Sequence, residues 1–175
     1  MCKNTQLIRP RPELSKTHRD FVQELRHLQE PLVPWVLNLD SGDFPEYVKR
    51  LSDYSTGIGL QPGFVEHSTF WLVDDRKVLL GVSNLRHRLT PALQQIGGHI
   101  GFGVRPSLRR KGHATRLLAL TLLEARFLGI DRVLLTCDKD NPASAKVMLK
   151  NGGIFDTESA GSDDRITQRY WIDLT

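Results

Sequence analysis

Two cysteines in 175 residues, Cys2 and Cys137, are too few and too far apart for a disulfide framework. They fit a reducing compartment, so a cytoplasmic protein is expected. No apolar run approaches the length needed to cross a bilayer, and the N-terminus lacks an apolar signal core. No membrane partner is expected. Neither sign of charge dominates: 24 Lys and Arg against 20 Asp and Glu leave a net +4. So mild an excess serves solubility. The basic face interleaved with aromatics that would hold nucleic acid is missing, and no nucleic-acid partner is expected. The cysteines and histidines lack metal-ligand spacing, so no metal is expected. There is no internal repeat and no low-complexity tract. What is present, 39% hydrophobic and 25% charged residues, is the composition of a globular domain. A single domain over 1–175 is long enough to bury a core of its own.

Periodicity and punctuation predict the elements. A short strand near Gln6–Arg9 stops at Pro10 and Pro12. Ser15 can cap a helix to about Gln29, with Phe21, Val22, Leu25 and Leu28 on one face. A second helix is expected over Phe44–Leu51. The Gly-rich segment around it, from about Trp35 to Pro62, reads as the rim of a substrate site. Its acids Asp40, Asp43, Glu46 and Asp53, with Glu66 beyond it, could attract a cationic ligand. Ser68–Val73 and Lys77–Arg86 read as a hairpin, and Leu89–Gln95 as a linker. A strand over Gly98–Val104 is unusually rich in glycine, which suits the close approach of another molecule's backbone. A helix over Gly112–Leu128, apolar on nearly all sides, is expected to be buried, with Gly129 ending it. Arg132–Cys137 reads as a buried strand. Asn141-Pro142 opens a further helix that stops at Asn151-Gly152-Gly153. Two last strands lie near Ile154–Thr157 and Arg169–Asp173.

The densest chemical signal is the turn between the glycine-rich strand and the long helix. Val104 ends the strand, and Arg105, Arg109, Arg110 and Lys111 precede Gly112 and the helix. Free N–H groups at a helix start, the helix dipole, basic side chains and a glycine without Cβ make an anion cradle. The spacing is neither that of a nucleotide P-loop nor of a dinucleotide fingerprint.

Arg109-Arg110-Lys111-Gly112-His113-Ala114 fits Q/R-x-x-G-x-G/A and resembles the acetyl-CoA pyrophosphate loop of the GNAT acyltransferase superfamily. Asn141, with Ser144 one turn later, is similar to the Asn that opens the next helix in that family, beside the pantetheine arm. Gly97-Gly-His-Ile-Gly, Thr136-Cys-Asp-Lys-Asp-Asn141 and Arg169-Tyr-Trp-Ile172 look like a group of bacterial acetyltransferases defined by sequence. The resemblance covers roughly 66–175 and implies an α/β fold of mixed type. It implies a mostly antiparallel central sheet of about six or seven strands, helices on both faces, and a splay between the fourth and fifth strands.

The resemblance implies acetyl-CoA as co-substrate and N-acetyl transfer to a primary amine of a small molecule or peptide. The amides from Arg110 through Lys111, Gly112, His113 and Ala114 to Thr115 would wrap the pyrophosphate. Arg109 and Arg110 would add longer-range attraction, toward the ribose phosphate of the cofactor. Phe102, Gly103 and Val104 would hydrogen-bond the pantetheine, and the Val104 N–H would polarise the thioester carbonyl. Many members place a base Glu six residues before the Val104 position; here that residue is Gly98, and His99 beside it is the first candidate base. His87, Glu66 and Asp138 are alternatives. The Tyr that many members use as acid, seven residues after the Asn, is replaced by Met148; Tyr170, Cys137 and Ser144 are the remaining candidates. The alternative reading is a non-catalytic acyl-CoA-binding or sensing module. A homodimer is consistent with proteins of this kind.

Overall fold

The computed structural model describes residues 4–160 and 165–175, so Cys2 lies outside the described residues. The first strand, β1 (Thr5–Ile8), pairs antiparallel with β2 (His67–Asp74), which forms a hairpin with β3 (Leu79–Arg86). Strand β4 (Ile100–Val104) completes a four-stranded sheet in the order β1-β2-β3-β4. Three later strands, β5 (Arg132–Asp138), β6 (Ile154–Ala160) and β7 (Ile166–Asp173), form a second antiparallel sheet in the order β5-β7-β6. No ladder joins β4 to β5 among the described residues, which is the expected splay.

Side-chain alternation divides β2 between two cores. Trp71 and Val73 face α1 (Ser15–His27) and α2 (Phe44–Tyr54), packing with Phe21, Tyr47 and Leu51. Phe70 and Leu72 face the opposite way, toward Leu118 and Leu117 of α4 (His113–Phe127). Both faces of the strand are therefore covered, and seven of its eight residues are buried. At Gly81 a Cβ would meet the Gly103 carbonyl oxygen at 2.9 Å and Leu117 at 3.0 Å, so the missing side chain lets α4 lie close on β3. The fold class is the mixed α/β arrangement expected, with helices on both faces.

Several local expectations change. Ser15 does not cap α1: a 3-10 turn over Pro12–Leu14 leads directly into the helix, and no side chain caps its start. The 89–95 linker contains a short helix, α3 (Pro91–Gln95), because the Thr90 side chain accepts from Leu93 N–H and Pro91 follows at a helical first position. The glycine-rich strand begins at Ile100, since Gly97 and Gly98 both take positive φ, +106° and +57°. Helix α4 is not buried all round: Leu123 and Phe127 stand 51% and 85% exposed. The final helix, α5 (Pro142–Lys150), is capped by Asn141, whose side chain accepts from Ser144 N–H at 3.1 Å.

Candidate active site

The hydrogen-bond phase of the two facing strands defines the site. Arg86 N–H donates to His99 O, and Arg105 N–H to Leu80 O. In an antiparallel pair this phase turns the polar groups of Gly101 and Gly103 toward β3. Those of Phe102 and Val104 then point to the unpaired edge. On β5, Lys139 N–H donates to Ile166 O and Leu174 N–H to Asp131 O, so odd-numbered residues serve β7 and Leu134 and Thr136 face β4. Two free strand edges thus confront each other. Of the three expected main-chain contacts, Phe102 and Val104 face the gap and Gly103 serves the sheet.

The gap is a cavity of about 270 Å³. Phe102, Cys137, Asn141, Ser144 and Met148 line it on the α4 and α5 side, and Thr136 and Asp138 of β5 line it from the opposite face of that strand. Trp35, Arg86 and Ile96 line it from the side of the α1–α2 connection. A larger, open recess of about 1070 Å³ lies between α1 and the 105–109 turn. Its Arg105 and Arg109 are already paired with glutamates, so it is not the candidate site.

The glycines of β4 have a different reason from the one expected. A Cβ on Gly103 would fall 2.1 Å from Val33 O, and one on Gly101 3.4 Å from Pro34 Cβ. They admit the chain's own Val33-Pro34 segment rather than a foreign backbone. At Gly98 a Cβ would lie 2.4 Å from Leu134 O, so no side chain fits where a base Glu might stand.

His99 is not placed as a base. It is buried, its N–H donates to Leu134 O at 2.7 Å, and its Nδ1 accepts Leu134 N–H at 2.9 Å. A proton on Nδ1 would break that bond. Burial, helped by the nearby Arg86 charge, pushes its pKa down to about 4. The residue ties β4 to β5 at the closed end of the splay. The other candidate bases are dispersed. Glu66 pairs with Arg88 at 3.0 Å, and the His87 ring bonds Ser68 Oγ at 2.9 Å. Only Asp138 among them lines the cavity. Tyr170 donates to Gln168 and does not line it, whereas Cys137 and Ser144 do. Burial raises the Cys137 thiol to about 11.

The cradle takes shape at the start of α4. Arg110 and Gly112 both have positive φ, +61° and +84°, and no side chain caps the helix. Alternating left-handed residues turn successive N–H groups toward one concavity, and the N–H groups of the first helical turn have no intrahelical acceptor. His113 Nδ1 is buried without a partner there. Arg109 is differently engaged: its guanidinium grips Glu30 through two bonds, of 2.8 and 2.5 Å, and its Nε reaches Val104 O at 3.3 Å. Glu24 accepts from Arg105 Nε at 2.7 Å and from Ser107 N–H and Oγ–H, both at 3.1 Å. Helix α1, through Glu24, and the turn that follows it, through Glu30, therefore brace the loop with two carboxylates that no sequence motif singled out. Trp35, Arg86 and Thr136 were also missed; only tertiary packing brings them together.

A GNAT acetyltransferase domain model matches residues 12–154. No curated protein sequence matches the chain. Solved structures share its fold. A ribosomal-protein-S5-alanine acetyltransferase from Vibrio fischeri superposes with a TM-score of 0.72 at 14% identity, covering 99% of this chain and 94% of that one. The ribosomal L7/L12 α-N-protein acetyltransferase RimL, solved with coenzyme A in a disulfide to one of its cysteines, gives 0.69 at 19% identity, covering 97% and 94%. The yncA protein of Salmonella typhimurium, solved with acetyl-CoA, gives 0.66 at 12% identity, covering 98% and 94%.

Proposed function

The chain belongs to the GNAT acetyltransferase family, and from that premise we propose that it moves the acetyl group of acetyl-CoA to a primary amine by direct attack in a ternary complex. One observation carries the reading: an uncapped helix start with alternating left-handed residues leads to a gap between two unpaired strand edges. The amides of 110–115 suit a pyrophosphate. The outward main-chain groups of Phe102 and Val104 suit the amides of a pantetheine arm, which adds to β4 like a strand. The Asn141 Oδ1 is used in capping, which leaves its amide N–H groups for a ligand carbonyl.

In the proposed reaction the Val104 N–H stabilises the negative charge developing on the thioester oxygen. The amine nitrogen bonds to the carbonyl carbon, the C–S bond breaks, and the thiolate departs as coenzyme A. The ammonium proton passes to water, directly or by way of Asp138. Alignment of the two reactants is the main contribution of the site.

Calorimetry with acetyl-CoA tests the cradle. The wild type should bind, and Gly112→Glu should weaken binding at least about tenfold, through its added charge and its strained left-handed position. Equal affinity of the two removes the cradle assignment. A second reading, a non-catalytic acyl-CoA-binding module, is favoured by the tied His99, the closed Gly98 position and the thioether of Met148. Acetyl-CoA binding without thiol release across a broad amine panel would select it.

A further inference from the structure

We propose that the acceptor is a small amine that also carries a carboxylate, received by Arg86, with its ammonium group toward Asp138. This rests on the acetyltransferase reading and narrows it. Among the described side chains that line the cavity, only Arg86 and Asp138 are charged, with opposite signs; Asp138 keeps a long contact, 3.7 Å, with the exposed Arg165 guanidinium, which leaves it open to a closer cation.

Both stand on the same side of the splay. On β3, Val82 faces the α1–α2 core and Leu85 the α4 core, so Arg86 takes the α1–α2 side. On β5, Val133 and Leu135 pack with the α4 core, so Thr136 and Asp138 face away from it. Gly97 N–H donates to Thr136 Oγ1 at 3.0 Å on that side. The pair thus lies across the gap from Cys137 and Met148, which pack with the α4 core.

Arg86 is a cation held by main-chain carbonyls. Its Nη1 donates to the carbonyls of Gly97 and Gly98 at 3.1 and 2.9 Å. Among the described residues no carboxylate pairs with it, and the remaining N–H groups are not buried orphans. Burial lowers its pKa with no acid offsetting the effect. A half-buried guanidinium of this kind favours a planar oxoanion that accepts two parallel hydrogen bonds. The neighbouring histidines, His67 and His99, supply no negative charge.

Four of the five acids expected to attract a cationic acceptor are engaged elsewhere, and the fifth, Glu46, stands on α2 away from the cavity. Asp43 caps α2, Asp53 pairs with Lys49, Glu66 with Arg88, and Asp40 accepts from Gly42 N–H. None of them lines the cavity. Its volume, about 270 Å³ shared with the thioester end, suits a compact acceptor.

The test is release of coenzyme A thiol from acetyl-CoA with matched sets: free α-amino acids, their carboxamides, and the corresponding decarboxylated amines. The acids should exceed both other sets in kcat/KM by about thirtyfold or more, the scale of one charge-assisted bidentate contact. Arg86→Gln should raise the amine KM about tenfold or more and narrow that preference, with the acetyl-CoA KM unchanged within about twofold. Because Arg86 also holds two carbonyls, Arg86→Lys is the companion, which should keep part of the preference. Amides or decarboxylated amines used as well as the acids would overturn the inference. So would acids that yield no product while calorimetry shows acetyl-CoA bound. Failure of acetyl-CoA to bind would instead remove the acetyltransferase reading, and this inference with it.

Discussion

His99 and Leu134 exchange two hydrogen bonds, one through the imidazole Nδ1 and one through the His99 main chain, and so join two sheets that no ladder connects. Removing the ring leaves the Leu134 N–H buried without an acceptor. His99→Ala should cost about 1–3 kcal/mol in urea unfolding. The shape of its pH–rate profile should match the wild type, since the ring does not carry the reacting proton. A profile that loses an inflection would restore the catalytic role.

Three buried histidines, His18, His67 and His99, have pKa values lowered to about 4, in each case chiefly by burial. Between that value and the ordinary 6.5, the unfolded chain binds more protons than the folded one. Stability should therefore be full above about pH 6.5, fall as pH drops toward 4, and level off in this contribution below that. Chemical denaturation at a series of pH values checks the sign; a midpoint that rises on acidification contradicts it.

The two glycines within β4 should not be equally sensitive. Gly103→Ala drives a methyl into the Val33 carbonyl, whereas Gly101→Ala meets Pro34 at ordinary contact distance. The first should lose about 1–3 kcal/mol or more and the second distinctly less. Thermal melts of the two variants decide, and equal melting temperatures would refute the packing account.

Glu24 holds Arg105 and Ser107, so its removal should loosen the turn before the cradle. Glu24→Ala is expected to weaken acetyl-CoA binding about three- to tenfold, within the range of a charge-assisted hydrogen bond at a partly exposed position. Calorimetry on the variant gives the ratio, and unchanged affinity would show that the loop keeps its shape without this brace.

Cys137 faces the cavity with a thiol held protonated by burial. In a Cys2→Ser background its alkylation by iodoacetamide should be slow at neutral pH and slower still with coenzyme A present. Mass spectrometry of the modified chain reports this. Protection absent at saturating coenzyme A would place the pantetheine arm elsewhere.

The helices and strands were legible because local signals agreed with tertiary demands: Asn141-Pro142 both caps and starts α5, and Gly112 permits a left-handed turn before α4. The glycines at 101 and 103 announced a close approach, but the sequence could not say whose backbone approaches. The answer, Val33, lies seventy residues earlier in the chain. His99 suggested a base by residue type and position; its partner Leu134 is apolar and offers only main-chain atoms, which leave no trace in a motif. Arg86 likewise enters the sequence only as the last residue of an expected hairpin strand. Its importance comes from the lack of a paired carboxylate among the described residues, and that is a property of the folded surroundings.

The first sheet is drawn from residues 5–104 and the second from 132–173, so the cleft is a seam between consecutive halves of the polypeptide. Neither half alone presents both walls. Whatever occupies the seam is thermodynamically linked to the docking of the halves, and saturating ligand should raise the cooperativity with which they melt as one unit.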